Sequence, residues 1–469
     1  MDNPAMPKAS SSSYSHSQVQ FLQCQAASLL LYQSVMQSEA GIAFLDLLQA
    51  IRYTDADARS CLKAYGSYFY ALTARYQNWE DYLITQILIS DNPFSRLAQQ
   101  QDFEDLPRAL IAAVEHDLQA LQNLYECSSA SLSEWVQTVA HLPISPVVWY
   151  KKPNISIETK LIVFLQKLDN WGDAVEELAA YYRQFGTGLF AEYHALRWQE
   201  SKFVGIRHSD PIQLNTLVGY ESQQETLIKN TEFLLSGEVA LHILLYGSRG
   251  SGKSSLVKAL LNEYGQQNLR LLEVAKSDLQ DLPKIVEQLR GVPQKFIIFV
   301  DDLSFEEDDD AFKALKVVLE GNLTARPQNV VVYATSNRRH LIREYFVDRP
   351  TPKDNNEIHA WDTMQEKLSF SDRFGLTLTF EPADQKTYVK IVHHLAAQAK
   401  INITPEDLEY QALQWATRHN GRSGRTARQF IDFLKADLAL SHSHTHPSHP
   451  SENKTSKKQQ LKIDDQPVL

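Results

Sequence analysis

Residues 241–254 read LHILLYGSRGSGKS, and the architecture of the chain turns on the order of residue types in that stretch. Leu241 to Tyr246 form a short apolar run, rich in Leu and Ile, of the length of a buried strand. Gly247 to Ser254 match the Walker A pattern G-x-x-x-x-G-K-[ST] at every fixed position. Behind them, Ser255 to Tyr264 carry apolar residues at Leu256, Ala259, Leu260 and Tyr264, a helical spacing stopped by Gly265. Strand, glycine loop and helix are the context in which this pattern surrounds nucleotide phosphates.

The residue types specify the chemistry expected there. Gly247, Gly250 and Gly252 can take backbone angles closed to other residues, which lets successive N–H groups turn toward phosphate oxygens. Lys253 supplies a mobile charge for the β and γ phosphates, and the helix N-terminus adds partial positive charge. Ser254 carries the hydroxyl expected to bind Mg²⁺, while Ser248, Arg249, Ser251 and Ser255 complete the loop. ATP with Mg²⁺ is the expected ligand.

A chain of 469 residues has room for several domains, and its 43% hydrophobic content is ordinary for a soluble protein. No apolar run approaches a membrane span, and the polar, Ser-rich N-terminus lacks a signal pattern, so a cytoplasmic protein is expected. Cys24, Cys61 and Cys127 are too far apart for metal-type or redox-type pairs. The net charge of −11 gives no support to nucleic acid as a partner.

Residues 1–17 read as a disordered N-terminus and 18–199 as an all-helical domain. Helical periodicity covers Phe21 to Met36, Ala43 to Ile51, Leu106 to Leu124, Leu132 to Leu142, Lys160 to Leu168 and Trp171 to Tyr182. Residues 200–381 alternate strands and helices, which predicts a mostly parallel sheet with helices on both faces. The predicted strands after the first are Leu269 to Val274, Phe296 to Val300, Val330 to Ala334 and Leu376 to Phe380. Helices are expected over Gln223 to Leu235, Asp278 to Arg290, Ala311 to Leu319 and Arg339 to Phe346. Residues 382–440 read as a helical lid, with Thr404 as an N-cap before Pro405 and Asp407 at the capping-box position. Residues 441–469 read as a disordered tail, whose His442, His444, His446 and His449 are expected to be solvated rather than metal-bound.

The strand Phe296 to Val300 ends in Asp301 and Asp302, giving FIIFVDD. Acidic residues at the carboxyl end of a buried parallel strand share the sheet edge that carries the glycine loop. Asp301 is therefore expected to hold Mg²⁺ through a coordinated water and Asp302 to orient or deprotonate an attacking water. Asn337 ends the neighbouring strand, where its amide can reach the γ phosphate, cap a helix, or do both.

In this order the motifs resemble those of the AAA+ ATPases. LVGYESQQ (Leu217 to Gln224) is similar to the segment flanking the adenine, which assigns Val218 and Gly219 to nucleotide binding. GSRGSGKS and FIIFVDD are similar to Walker A and Walker B, and VVYATSN (Val331 to Asn337) to sensor 1, with Asn337 as its polar residue. SDRFG (Ser371 to Gly375) resembles the box carrying an arginine finger, which makes Arg373 the candidate. GRSGRTARQF (Gly421 to Phe430) resembles sensor 2, with Arg425. The segments VDDLSF, YATSNRRHL and SDRFGL resemble, in particular, a bacterial family of AAA+-like ATP-binding proteins of unknown function.

The resemblance implies ATP hydrolysis, a homo-oligomer with Arg373 acting in trans, and a protein partner it does not specify. One departure stands out: most of the superfamily has Glu where this chain has Asp302, one methylene shorter. Slow hydrolysis, or another base such as Glu306, fits that difference. An ATP-dependent switch with little turnover is the alternative from another class; a small-molecule kinase fits less well, given the arginine segments and the large helical half.

Overall fold

The computed structural model describes residues 16–53, 58–150, 164–305, 310–320, 326–337, 370–419 and 421–444. Seven strands form one sheet: β1 (Ala195–Gln199), β2 (Lys202–Ile206), β3 (Ile243–Gly247), β4 (Leu269–Glu273), β5 (Lys295–Val300), β6 (Val330–Ser336) and β7 (Leu376–Phe380). Their order across the sheet is β2-β1-β4-β5-β6-β3-β7. Every pairing is parallel except the β1–β2 hairpin.

Burial on both faces explains the apolar runs of the central strands. All of β6 is buried, as is β5 after Lys295. Alternate residues feed two cores: Leu244, Phe296, Ile298 and Val332 face one, and Ile243, Leu245, Ile297 and Phe299 the other. The helix Lys253–Tyr264 packs on the second of these through Leu256, Val257, Leu260 and Leu261.

The hairpin departs from the expected helical reading up to residue 199. Its turn residues Glu200 and Ser201 both have positive φ, 51° and 58°. A two-residue turn of that kind usually carries Asn-Gly or Asp-Gly, so the sequence has no hairpin signal here. Trp198, 1% exposed, anchors β1 against Phe203 of β2.

The helical half also corrects an expectation. The predicted helix Phe21 to Met36 is two helices, His16–Ala27 and Gln33–Gln37, with a break between them. Asp117, fully buried in the helix Arg108–Glu126, accepts the N–H groups of Leu30, Leu31 and Tyr32 at 2.7–3.1 Å. A distant carboxylate thus takes donors that a continuous helix would have used, and no local periodicity encodes that choice. The predicted helix Asp278 to Arg290 begins as a 3₁₀ stretch, Lys276–Asp281, before the α-helix Leu282–Leu289. The predicted helix Arg339 to Phe346 lies outside the described residues.

Helical half and sheet belong to one compact unit, which ends at Glu381. Polar contacts join them: the Arg270 side chain, which also bonds the carbonyls of Gly265 and Leu269 within its own half, donates to the carbonyl of Phe190, and Gln294 donates to that of Phe185. Burial pulls the Arg270 guanidinium down to about 10. The second unit starts at Pro382. Its helices are Gln385–Gln398, Pro405–Arg418 and Gly424–His444, and Thr404 caps the second by accepting the Asp407 N–H.

At the far end of β3 from the glycine loop, His242 is 4% exposed and its Nδ1 accepts the Val332 N–H at 2.9 Å. Burial, with Arg326 nearby, pulls the imidazole down to about 3. An unfolded histidine titrates near 6.5, so below that pH the unfolded chain binds a proton that the folded chain refuses. The resulting stability is fully present above pH ~6.5 and is lost as pH falls from there toward 3. His242→Asn keeps an acceptor for Val332 but cannot titrate. Denaturation of both proteins is expected to show wild type losing about 2 kcal/mol more than the variant between about pH 7.5 and about pH 5. Parallel pH curves would refute the assignment.

Candidate nucleotide site

The glycine loop begins where β3 ends, and its entry is set by a close approach. Gly247 has φ +137°, and a Cβ there would lie 2.0 Å from the Phe380 carbonyl oxygen of β7. The next residue, Ser248, donates its N–H to that same oxygen at 2.9 Å. Gly252, φ +92°, is the N-cap of the helix Lys253–Tyr264, so the loop turns into the helix through a left-handed residue.

Lys253 is 6% exposed, and its Nζ donates to the carbonyls of Gly247 at 3.0 Å and Ser248 at 2.7 Å. The ammonium is thereby held against its own loop. Ser251 also bonds inward, to the Ser248 carbonyl at 3.0 Å, while Arg249 is exposed and Ser255 is half-buried on the first helical turn.

Three pairs of residues converge here. Lys253 and Ser254 come from the loop, Asp301 and Asp302 follow β5, and Thr335 and Asn337 lie at the end of β6. The order β5-β6-β3 puts β6 between the acidic strand and the loop strand, so all three reach the same carboxyl edge. Ser254 Oγ donates to Asp301 Oδ1 at 2.6 Å. Asn337 Nδ2 donates to Asp302 Oδ1 at 2.7 Å, and its Oδ1 lies 3.5 Å from Lys253 Nζ. Thr335 donates to Asp301 Oδ1 and accepts the Asp302 N–H at 3.0 Å. Thr335 was not among the residues assigned a role from sequence; its place directly after the expected strand Val330 to Ala334, two residues before Asn337, was the available cue.

The segment carrying Val218 and Gly219 is tied to the same edge. Tyr220 donates to the Glu381 carbonyl at 2.7 Å and Gln223 to that of Thr379 at 2.9 Å. The Gly219 N–H meets Glu221 Oε1 at 3.0 Å, at the start of the helix Glu221–Ser236.

The two arginines stand differently. Arg373, 19% exposed, pairs through Nε with Glu320 at the end of the helix Asp310–Glu320. Arg425 is exposed in the first turn of Gly424–His444, in the second unit, and makes no ion pair with Asp432 among the described residues. Glu306 and the side chains of the tail histidines lie outside the described residues.

Mg²⁺ prefers hard oxygen ligands, usually one or two carboxylates completed by water and substrate phosphates. A hydroxyl and a carboxylate 2.6 Å apart, beside the glycine loop, fit that requirement. Among the described residues no group of three or more His, Cys, Asp or Glu could hold a metal alone. Nor is any described helix long and apolar enough to cross a membrane.

Glycine cradle, acidic strand end and intervening polar strand end, set in this sheet and followed by a helical unit, define an AAA+-type P-loop fold. The chain belongs to the family described as "Protein of unknown function (DUF815)", whose model matches residues 191–438. Among solved structures, the Thermotoga maritima RuvB Holliday junction branch migration motor is similar at 18% identity and TM-score 0.34, over 50% of this chain and 67% of that one. A mutant of Thermotoga maritima RuvB is similar at 17% identity and TM-score 0.36, with the same coverage. No curated protein matches the chain.

Proposed function

We propose that the chain binds ATP with Mg²⁺ in the cradle of residues 247–255, hydrolyses it to ADP and phosphate, and couples this to conformational work on a protein partner. The observation that carries this reading is the hydrogen bond from Ser254 to Asp301, which brings the loop hydroxyl and the acidic strand end together at one point. Lys253 would exchange its loop carbonyls for β- and γ-phosphate oxygens. Ser254 and Asp301 would hold Mg²⁺, which when bound neutralises charge on the phosphates. Asp302 would orient the attacking water and take its proton, while Asn337 holds the Asp302 carboxylate and reaches toward the γ phosphate.

Arg373 is assigned as a finger acting on a neighbouring copy of the chain, which requires it to leave Glu320 on assembly. Arg425 is assigned as the lid arginine, and a cytoplasmic homo-oligomer is the working form. One observation favours a second reading, an ATP-dependent switch with little turnover: the Asp302 carboxylate is engaged by Asn337.

Phosphate release measured across protein concentrations tests the proposal. Turnover per chain should rise with concentration and fall about 10³-fold in Arg373→Ala, with ATP binding retained. Turnover independent of concentration and unchanged in the variant would remove the finger assignment. Binding without turnover at any concentration would replace hydrolysis by the switch.

A further inference from the structure

We infer that Thr335 is the positioning residue of the cation site, acting through Asp301 and the backbone of Asp302; this rests on the Mg²⁺–ATP reading above. Thr335 is the penultimate residue of β6 and is 2% exposed. The parallel register sets Val300 of β5 beside Ala334, so Asp301 and Asp302 emerge next to the Thr335 side chain. One hydroxyl can donate once and accept twice. Here it donates to Asp301 Oδ1 and accepts the Asp302 N–H at 3.0 Å, while the Leu303 N–H bonds to the Thr335 carbonyl at 2.7 Å.

Both bonds matter for cation binding. Asp301 Oδ1 receives two donors, Ser254 and Thr335, which together set the plane of the carboxylate. The second bond holds the turn at Asp302, whose φ is +52°. Threonine is β-branched and stiff at χ1, so the strand itself aims its hydroxyl. Packing alone would be served as well by valine, which has the same shape, strong strand preference and no polar atom to satisfy.

The test measures binding rather than turnover. A fluorescent ATP analogue is titrated onto the full chain in EDTA, and Mg²⁺ is then titrated at fixed analogue. In Thr335→Val the half-saturating Mg²⁺ concentration should rise about tenfold or more, with affinity in EDTA unchanged, and Thr335→Ser should restore wild-type behaviour to within about threefold. Thr335→Ala removes the hydroxyl without adding a methyl group, and serves where the valine variant does not melt cooperatively. A Mg²⁺ response equal to wild type in a folded hydroxyl-free variant overturns the inference alone. Wild type binding the analogue with no response to Mg²⁺ removes the reading beneath it, and the inference with it.

Discussion

In Lys253→Met, affinity for ATP is expected to fall about 10³-fold, with the fold intact. Lys253 is 6% exposed and its ammonium is held by two carbonyls of its own loop, so little side-chain freedom is left to lose when it exchanges them for phosphate oxygens. A unit charge about 4 Å from a phosphate oxygen, in surroundings of effective dielectric about 20, is worth about 4 kcal/mol. That corresponds to about 10³ in affinity. Methionine keeps the unbranched apolar stem out to Cε and lacks only the ammonium, so the loss reports charge. Lys253→Arg is not expected to rescue binding, because a planar guanidinium does not fit a pocket shaped around a compact ammonium. Calorimetry or a fluorescent nucleotide measures both variants. Affinity of Lys253→Met within about threefold of wild type would show that the loop does not bind phosphate.

The second large effect is expected at Asp302. Asp302→Asn should bind ATP as wild type does and lose about 10²- to 10⁴-fold in phosphate release, the usual range for a removed general base. The backbone makes this substitution clean. With φ +52°, Asp302 lies in the left-handed region, which Asp and Asn tolerate better than other non-glycine residues. Asparagine therefore removes the charge and spares the turn.

The same angle gives a physical reason for Asp in place of Glu. A longer side chain in that conformation costs about 1 kcal/mol or more, and its carboxylate no longer meets the Asn337 amide where Asp302 meets it at 2.7 Å. Asp302→Glu should accordingly lose stability and gain no turnover. Single-turnover phosphate release with a matched melting curve measures both outcomes. Unchanged release in Asp302→Asn would move the base elsewhere.

Much of the candidate site was legible because its chemistry is written in adjacent residues. Lys253 and Ser254 must follow Gly252 directly, and Asp301 must follow a buried strand, so each role leaves a local pattern. The central strands were legible for a related reason: a parallel strand covered on both faces has to be a short apolar run, and β3 to β7 all lie in or across the runs read that way. The hairpin β1–β2 carried no such mark, since Glu200 and Ser201 adopt turn angles usually supplied by Asn and Gly. The broken helix before Gln33 carried none either, because Asp117 acts across more than eighty residues of sequence.

Composition and local order were enough to specify a glycine cradle, an acidic strand end and an α/β core between helical segments, since covalent neighbours and strand burial dictate them. Which side chains close the site depended on the packed fold. Thr335 reaches Asp301 only because β5 and β6 pair in register, and Asn337 reaches both Asp302 and Lys253 only because β6 lies between β5 and β3. Arg373 is likewise committed to Glu320 by folding, not by spacing. Hydrogen bonds and ion pairs act over a few ångströms, and the chain brings such partners together only once its sheet is assembled.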